Sequence, residues 1–152
     1  MFRDGLARLL VFRVGNERFG VPLSDVDEVI DAQSIQRVPD AAASVLGIAS
    51  VRGVLLTVYD PRPLLLVDGA VDAAMLLFSR GDRRVALAID DVFDPVSVAE
   101  GELLPVPSGM ESDGMVIGVV RRESTLTAVL DTNALFRAAM DVPERSGEGE
   151  NT

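Results

Sequence analysis

Residues Val45–Arg62 read VLGIASVRGVLLTVYDPR. Two short apolar strands, Leu46–Val51 and Val54–Asp60, are joined by a turn at Arg52-Gly53, and Asp60 and Arg62 close the stretch. β-Branched and aliphatic residues fill both strands, as a pleated, half-buried surface requires. An arginine inside such a hairpin is costly unless it finds a partner. An acid such as Asp60 or Glu28 could pair with Arg52 within the chain, or Arg52 could contact a binding partner, or both.

Working outward, the chain repeats itself. Leu10–Val26 overlays Leu76–Val92 without a gap at a shift of 66 positions, with Phe12 on Phe78, Gly15 on Gly81, Arg18 on Arg84 and Asp25 on Asp91. Gly47–Leu65 overlays Gly118–Phe136 at a shift of 71, with Val58 on Val129 and Asp60 on Asp131. The landmarks keep their order, so an internal duplication is expected. Two units of about 65 residues would each be marginal alone and would share one core when packed together. The strands expected in the first half are Leu9–Val14, Phe19–Pro22, Asp27–Ala32, Ile35–Val38, Leu46–Val51 and Val54–Asp60. The second half offers Ala74–Ser79, Arg84–Asp90, Val92–Val98, Met115–Val120 and Thr125–Asp131. Short strands at this spacing point to a mainly β protein of small barrels. One helix is expected over Thr132–Met140, with Thr132 as N-cap. Val142–Thr152 (VPERSGEGENT) is expected to be a disordered tail.

Composition narrows the chemistry. The 152 residues contain no Cys and no His, and all 14 basic residues are Arg. Thiolate catalysis, a Ser-His triad, imidazole phosphotransfer, a P-loop lysine and a Schiff base are therefore excluded. A net charge of −10 argues against nucleic-acid binding, which needs a basic face. No apolar run approaches the roughly 20 residues that span a bilayer, and charges at Arg3, Asp4 and Arg8 break any signal-peptide core. A soluble cytoplasmic protein is the expectation, with no direct membrane insertion.

The densest acidic cluster is Asp90-Asp91 with Asp94. Neighbours on a strand face opposite ways, so Asp90 and Asp91 are expected to form a solvated strand end rather than a metal or acid/base site. Ser24–Glu28 carries capping-box spacing from Asp25 to Glu28, as a single helical turn before a strand would. No phosphate-cradling glycine loop and no GxSxG are present. No catalytic, cofactor or metal site is expected.

The chain resembles the CheW-like family, the scaffolding proteins of bacterial chemosensory arrays. Phe12, Gly15, Phe19-Gly20 and Leu23 match the family's opening strand pair. Val26, Glu28 and Val29 match its V-x-E-V element, and Val38-Pro39 its VP step. Gly47–Gly53 resembles G-(I/V)-x-N-L-R-G, and Val58-x-Asp60-x-Arg62 resembles P-V-x-D-L-R. Departures are Ser50 for Asn, Thr57 for Pro, Pro61 for Leu, Ala86 for Gly, and Pro95 within a usually apolar strand. The resemblance implies one domain over residues 9–140, made of two packed five-stranded SH3-like β-barrels with a short C-terminal helix. The first barrel would span about 9–66 and the second about 73–136, with exchange of elements left open. It implies a non-enzymatic adaptor between the cytoplasmic hairpin of a methyl-accepting chemoreceptor and the regulatory domain of a CheA-type histidine kinase. A scaffold in a non-flagellar pathway, such as twitching motility or second-messenger control, is the alternative. A metal-binding barrel using Asp90, Asp91 and Asp94 is a third reading.

Comparing the two halves separates barrel from function. Asp60 and Asp131 recur and are expected to cap the turns that follow them. Arg52-Gly53 becomes Glu123-Ser124, and Arg62 becomes Asn133, so the second barrel folds without them. The candidate partner-binding residues are Arg52, Gly53, Arg62, Gly47, Ser50, Val26, Glu28 and Leu23. For Leu23 and Val26 core packing is the competing role, and for Gly47 a positive φ or a close backbone approach.

Overall fold

The structure, a computed structural model, describes residues 1–39, 41–108 and 114–140. The expected tail Val142–Thr152 lies outside the described residues. The first half comprises β1 (Leu6–Val14), β2 (Glu17–Pro22), a 3-10 turn over Leu23–Asp25, β3 (Val26–Asp31), β4 (Val45–Val51), β5 (Val54–Tyr59) and helix α1 (Pro61–Leu65). The second half comprises β6 (Ala74–Arg80), β7 (Arg83–Ile89), β8 (Asp91–Val92), β9 (Val96–Ala99), a 3-10 turn over Glu100–Glu102, β10 (Leu103–Leu104), β11 (Val116–Arg122), β12 (Thr125–Leu130) and helix α2 (Thr132–Met140).

The duplication holds at the level of register. Moved along by 71 positions, β4 and β5 land on β11 and β12 residue for residue. Even the bulges coincide, between Val45 and Gly47 in one pair and between Val116 and Gly118 in the other. The cause is the same in both. A side chain on Gly47 would lie 2.4 Å from the Gln36 carbonyl oxygen, and one on Gly118 would lie 2.6 Å from Leu103.

The two halves exchange their first hairpins. Among the described residues, β1–β2 pairs with the later strands in a seven-stranded sheet, ordered β10-β11-β12-β2-β1-β8 with β9 also against β1. β6–β7 inserts into a five-stranded sheet, ordered β3-β6-β7-β5-β4. Two parallel joints make the exchange, and they are copies of each other: Thr57 faces Val85 across β5 and β7, while Ala128 faces Phe19 across β12 and β2. The chain leaving β3 bends round so that Gln36 bridges Ile48 on β4, the opposite edge of the sheet, which closes it on itself.

Both faces of β1 are buried. Leu10, Phe12 and Val14 enter a core shared with Leu76, Phe78, Leu87 and Phe136. Leu9 points the other way, into a smaller cluster with Val98, Val120 and Val129. This two-sided burial explains why Leu9–Phe12 reads as a continuous apolar run.

Several local expectations are corrected. The helix cap is Asp131, whose Oδ1 accepts the Ala134 N–H at 3.2 Å, and Thr132 is the first helical residue. Asp60 plays the same part for α1, accepting the Arg62 N–H at 2.9 Å with Pro61 in the first turn. Ile35–Val38 supplies a single bridge instead of a strand. Val92–Val98 breaks at Asp94-Pro95 into β8 and β9, since Pro95 has no N–H for the ladder. Asp90 is not a solvated strand end. Its carboxylate accepts the Gly15 N–H at 2.6 Å and the Val71 N–H at 2.7 Å, clamping the connector between the halves onto the β1–β2 turn.

Candidate functional site

The β4–β5 turn sets the site. Val51 pairs with Val54, leaving Arg52 (φ 50°) and Gly53 (φ 82°) as a two-residue loop with both φ positive. That is the backbone of a type I′ turn, whose twist matches the flanking strands. The Arg52 guanidinium grips Glu28 on β3 through both carboxylate oxygens, at 2.6 and 3.1 Å. Arg84 on β7 approaches the same Glu28 at 3.9 Å and Asp27 at 3.7 Å, and the Ser79 hydroxyl donates to Asp27. Neighbouring strand residues ordinarily face opposite ways, but a register shift between Val26 and Glu28 turns both acids toward the arginines.

The candidate residues fall into separate places. Arg52, Gly53, Glu28 and Ser50 cluster at one end of the first sheet, and Ser50 is exposed opposite Leu55. Beside them Val54 and Leu55 stand 55% and 71% exposed, an apolar tip next to a charged one. Leu23 and Val26 are half-buried and pack against the shared core. Gly47 is buried where Gln36 approaches β4. Arg62 sits beyond the opposite end of β5. Its guanidinium donates to both Asp60 oxygens at 2.8 and 2.9 Å and to the Gly69 carbonyl at 2.8 Å. Those hydrogen bonds to Asp60 raise its pKa further above the usual arginine value. Arg62 thus fixes the connector.

Sequence comparison of the halves passes over Arg84 and Asp27. Arg84 recurs as Arg18, which marks it as a barrel feature, although Phe93 takes the place of its partner Asp27. A groove of about 760 Å³ runs beside the turn, lined by Leu55, Tyr59, Met140, Arg83 and Arg84 among others. Burial pushes the Tyr59 hydroxyl pKa up, partly offset by Arg83. Among the described residues no group of three or more acidic side chains is placed to hold a metal ion. Asp91 caps its own strand and lies 4.0 Å from Arg13, while Asp90 serves backbone N–H groups. No described helix is long and apolar enough to cross a membrane.

Two exchanged β-barrels that present charged and apolar turns at the surface have the architecture of a protein-binding scaffold. The CheW-like domain family model matches residues 8–140, and the chain belongs to that family. It is 25% identical over 134 residues to the chemotaxis protein CheW of Bacillus subtilis, covering 85% of this chain and 86% of that one. It is 27% identical over 139 residues to CheW of Rhizobium meliloti, covering 88% and 89%. The scaffolding protein TtCheW from Thermoanaerobacter tengcongensis shares the fold, with a TM-score of 0.78, 20% identity and 94% of each chain covered. The chain is a non-enzymatic chemotaxis scaffold of the coupling type.

Proposed function

We propose that this protein acts in the cytoplasm to couple the hairpin tip of a methyl-accepting chemoreceptor to the regulatory domain of a CheA-type histidine kinase. The observation that carries the reading is the β4–β5 turn: Arg52 is held in place by Glu28 while exposed Val54 and Leu55 stand beside it. A preorganised charge next to a small apolar surface suits a modest interface with a polar rim. Each barrel supplies an exposed apolar tip, because Leu126, the counterpart of Leu55, is 58% exposed. Two weak contacts on one rigid body gain strength when partners are arrayed. Arg52, Gly53, Ser50, Glu28 and, at the margin, Val26 and Leu23 form the candidate surface. Gly47 supports it from within the barrel, while Arg62 fixes the connector at the far end of β5.

The test is binding of the full chain to a purified kinase regulatory domain and to a receptor hairpin. A dissociation constant at or below tens of micromolar, about −6 kcal/mol, is expected for at least one. Absence of both interactions at that concentration overturns the proposal.

A further inference from the structure

The second barrel has an open mouth at the place where Arg52 and Glu28 pair in the first. A cavity of about 190 Å³ enters it, floored by the buried Leu9, Val98 and Val120. The duplication explains why. In the first barrel the corresponding wall positions carry Met75, Leu77, Leu56 and Ile30. Here they carry Leu9, Val11, Thr127 and Val96, and the shorter or more polar side chains leave space.

The rim differs more. The counterparts of Arg52 and Glu28, which pair across the first mouth, are Glu123 and Asp94. Two acids cannot make that bridge. Glu123 keeps the same turn conformation, with φ 56° against 50° for Arg52, so the backbone is ready and only the charge is reversed. Two arginines also border the mouth. Arg122 is occupied by Glu102 at 2.9 and 3.1 Å and by the Ser97 carbonyl. Arg18, the counterpart of Arg84, lies over the Phe93 ring at 4.2 Å, because Phe93 replaces Asp27. Among the described residues neither Asp94 nor Glu123 forms an ion pair. With Arg122 balanced by Glu102, the mouth retains one excess negative charge over an apolar chamber.

We infer that this mouth docks an arginine side chain presented by a partner protein. The aliphatic stem enters the cavity, and the guanidinium lies between Glu123 and Asp94. The partner thereby supplies from outside the cation that Arg52 supplies to Glu28 within the first barrel. A chamber of comparable size, about 150 Å³, is known to hold a six-carbon ring, so the stem fits. A guanidinium suits the place better than an ammonium because it is planar, weakly hydrated and able to contact two carboxylates at once.

The test uses the full chain and a capped residue, Nα-acetylarginine amide, as probe. Titration should shift the amide resonances of Leu9, Val98, Val120 and Glu123 with a dissociation constant of about 1–10 mM. The capped lysine should bind several-fold more weakly. Glu123→Arg should build the internal bridge to Asp94, abolish the shifts and raise the melting temperature by about 1–3 °C. Glu123→Gln with Asp94→Asn should weaken the probe at least tenfold without needing the new bridge to form. No shift at 50 mM probe (about fifty times the tighter end of that range), or shifts unchanged in the double variant, overturns the inference. So does preferential binding of valerate, which would assign the mouth to Arg18 and an anion. Tighter binding of free L-arginine than of the capped form would assign it to a metabolite and overturn the protein-docking reading.

Discussion

Arg52 and Glu28 meet through two hydrogen bonds of 2.6 and 3.1 Å, joining the tip of β4–β5 to β3. The pair lies near the surface, with Arg52 60% and Glu28 34% exposed along their side chains. It therefore fixes orientation more than it adds stability.

Arg52→Ala should lower the melting temperature by no more than about 2–4 °C, the shift expected for losing one exposed pair. Binding to receptor hairpin or kinase domain should fall well beyond that change. A collapse of melting temperature together with binding would sink the direct-contact role of Arg52. Thermal unfolding and a binding titration on the same preparation decide between them.

Asp60→Ala should cost about 2–3 kcal/mol in urea unfolding, more than Asp131→Ala at about 1 kcal/mol. Both remove a helix cap. Only Asp60 also holds an arginine through both oxygens, and its loss leaves the partly buried Arg62 without its anion. Equal costs for the two variants would show that the Arg62 contacts contribute nothing.

Gly15→Ala and Gly81→Ala occupy matching turns with φ of 60° and 65°. Each pays the left-handed penalty of about 1–2 kcal/mol. A methyl on Gly15 would also lie 1.8 Å from the Asp68 carbonyl oxygen, whereas Gly81 faces open space. The Gly15 variant should be destabilised by at least twice as much in urea, and its Val71 amide should lose protection from hydrogen exchange as the connector lifts.

Glu102 has its pKa held below the ordinary value of 4.5, first by hydrogen bonds from Arg122 and then by the Ala99 N–H. A carboxylate depressed in the folded state contributes stability that is complete above its unfolded pKa and is lost as pH falls through the folded value. The Glu102–Arg122 contact should thus weaken only in acid below about pH 4.5, and not between pH 6 and 8. In an NMR titration, Arg122→Ala should raise the Glu102 midpoint toward the ordinary value. An unmoved midpoint would remove Arg122 as the cause.

Most strands, the duplicated order and the capping role of Asp60 and Asp131 are legible in the sequence, because alternation, turn glycines and Asp-Pro carry local information; the single bridge at Gln36, the short β10 and helix α1 are not. Nor is the hairpin exchange. Alternation states which face of Phe19 or Val85 is buried, but not that their neighbours across the parallel joints are Ala128 and Thr57. The role of Asp90 is hidden for a related reason: its partners are backbone N–H groups of Gly15 and Val71, and backbone groups leave no trace in side-chain patterns. The sequence offers Arg52 two acids, Asp60 and Glu28, without choosing between them. The bulge that turns Asp27 and Glu28 to the same side could not be read from the strand pattern. Arg62 looked like a partner of Arg52 in function, yet β5 runs between them and holds them apart.

The exchanged hairpins also bear on how the chain is made. On the ribosome β1 and β2 emerge before the other strands of the domain, yet the strand that β2 lies parallel to, β12, is the last of the described strands. Until then the apolar side of the first hairpin has no sheet to join. A nascent chain released early would expose it, whereas two fragments cut at the connector would each lack a hairpin that the other holds. Co-expressed fragments should therefore find each other and reassemble, and either one alone should be captured by chaperones.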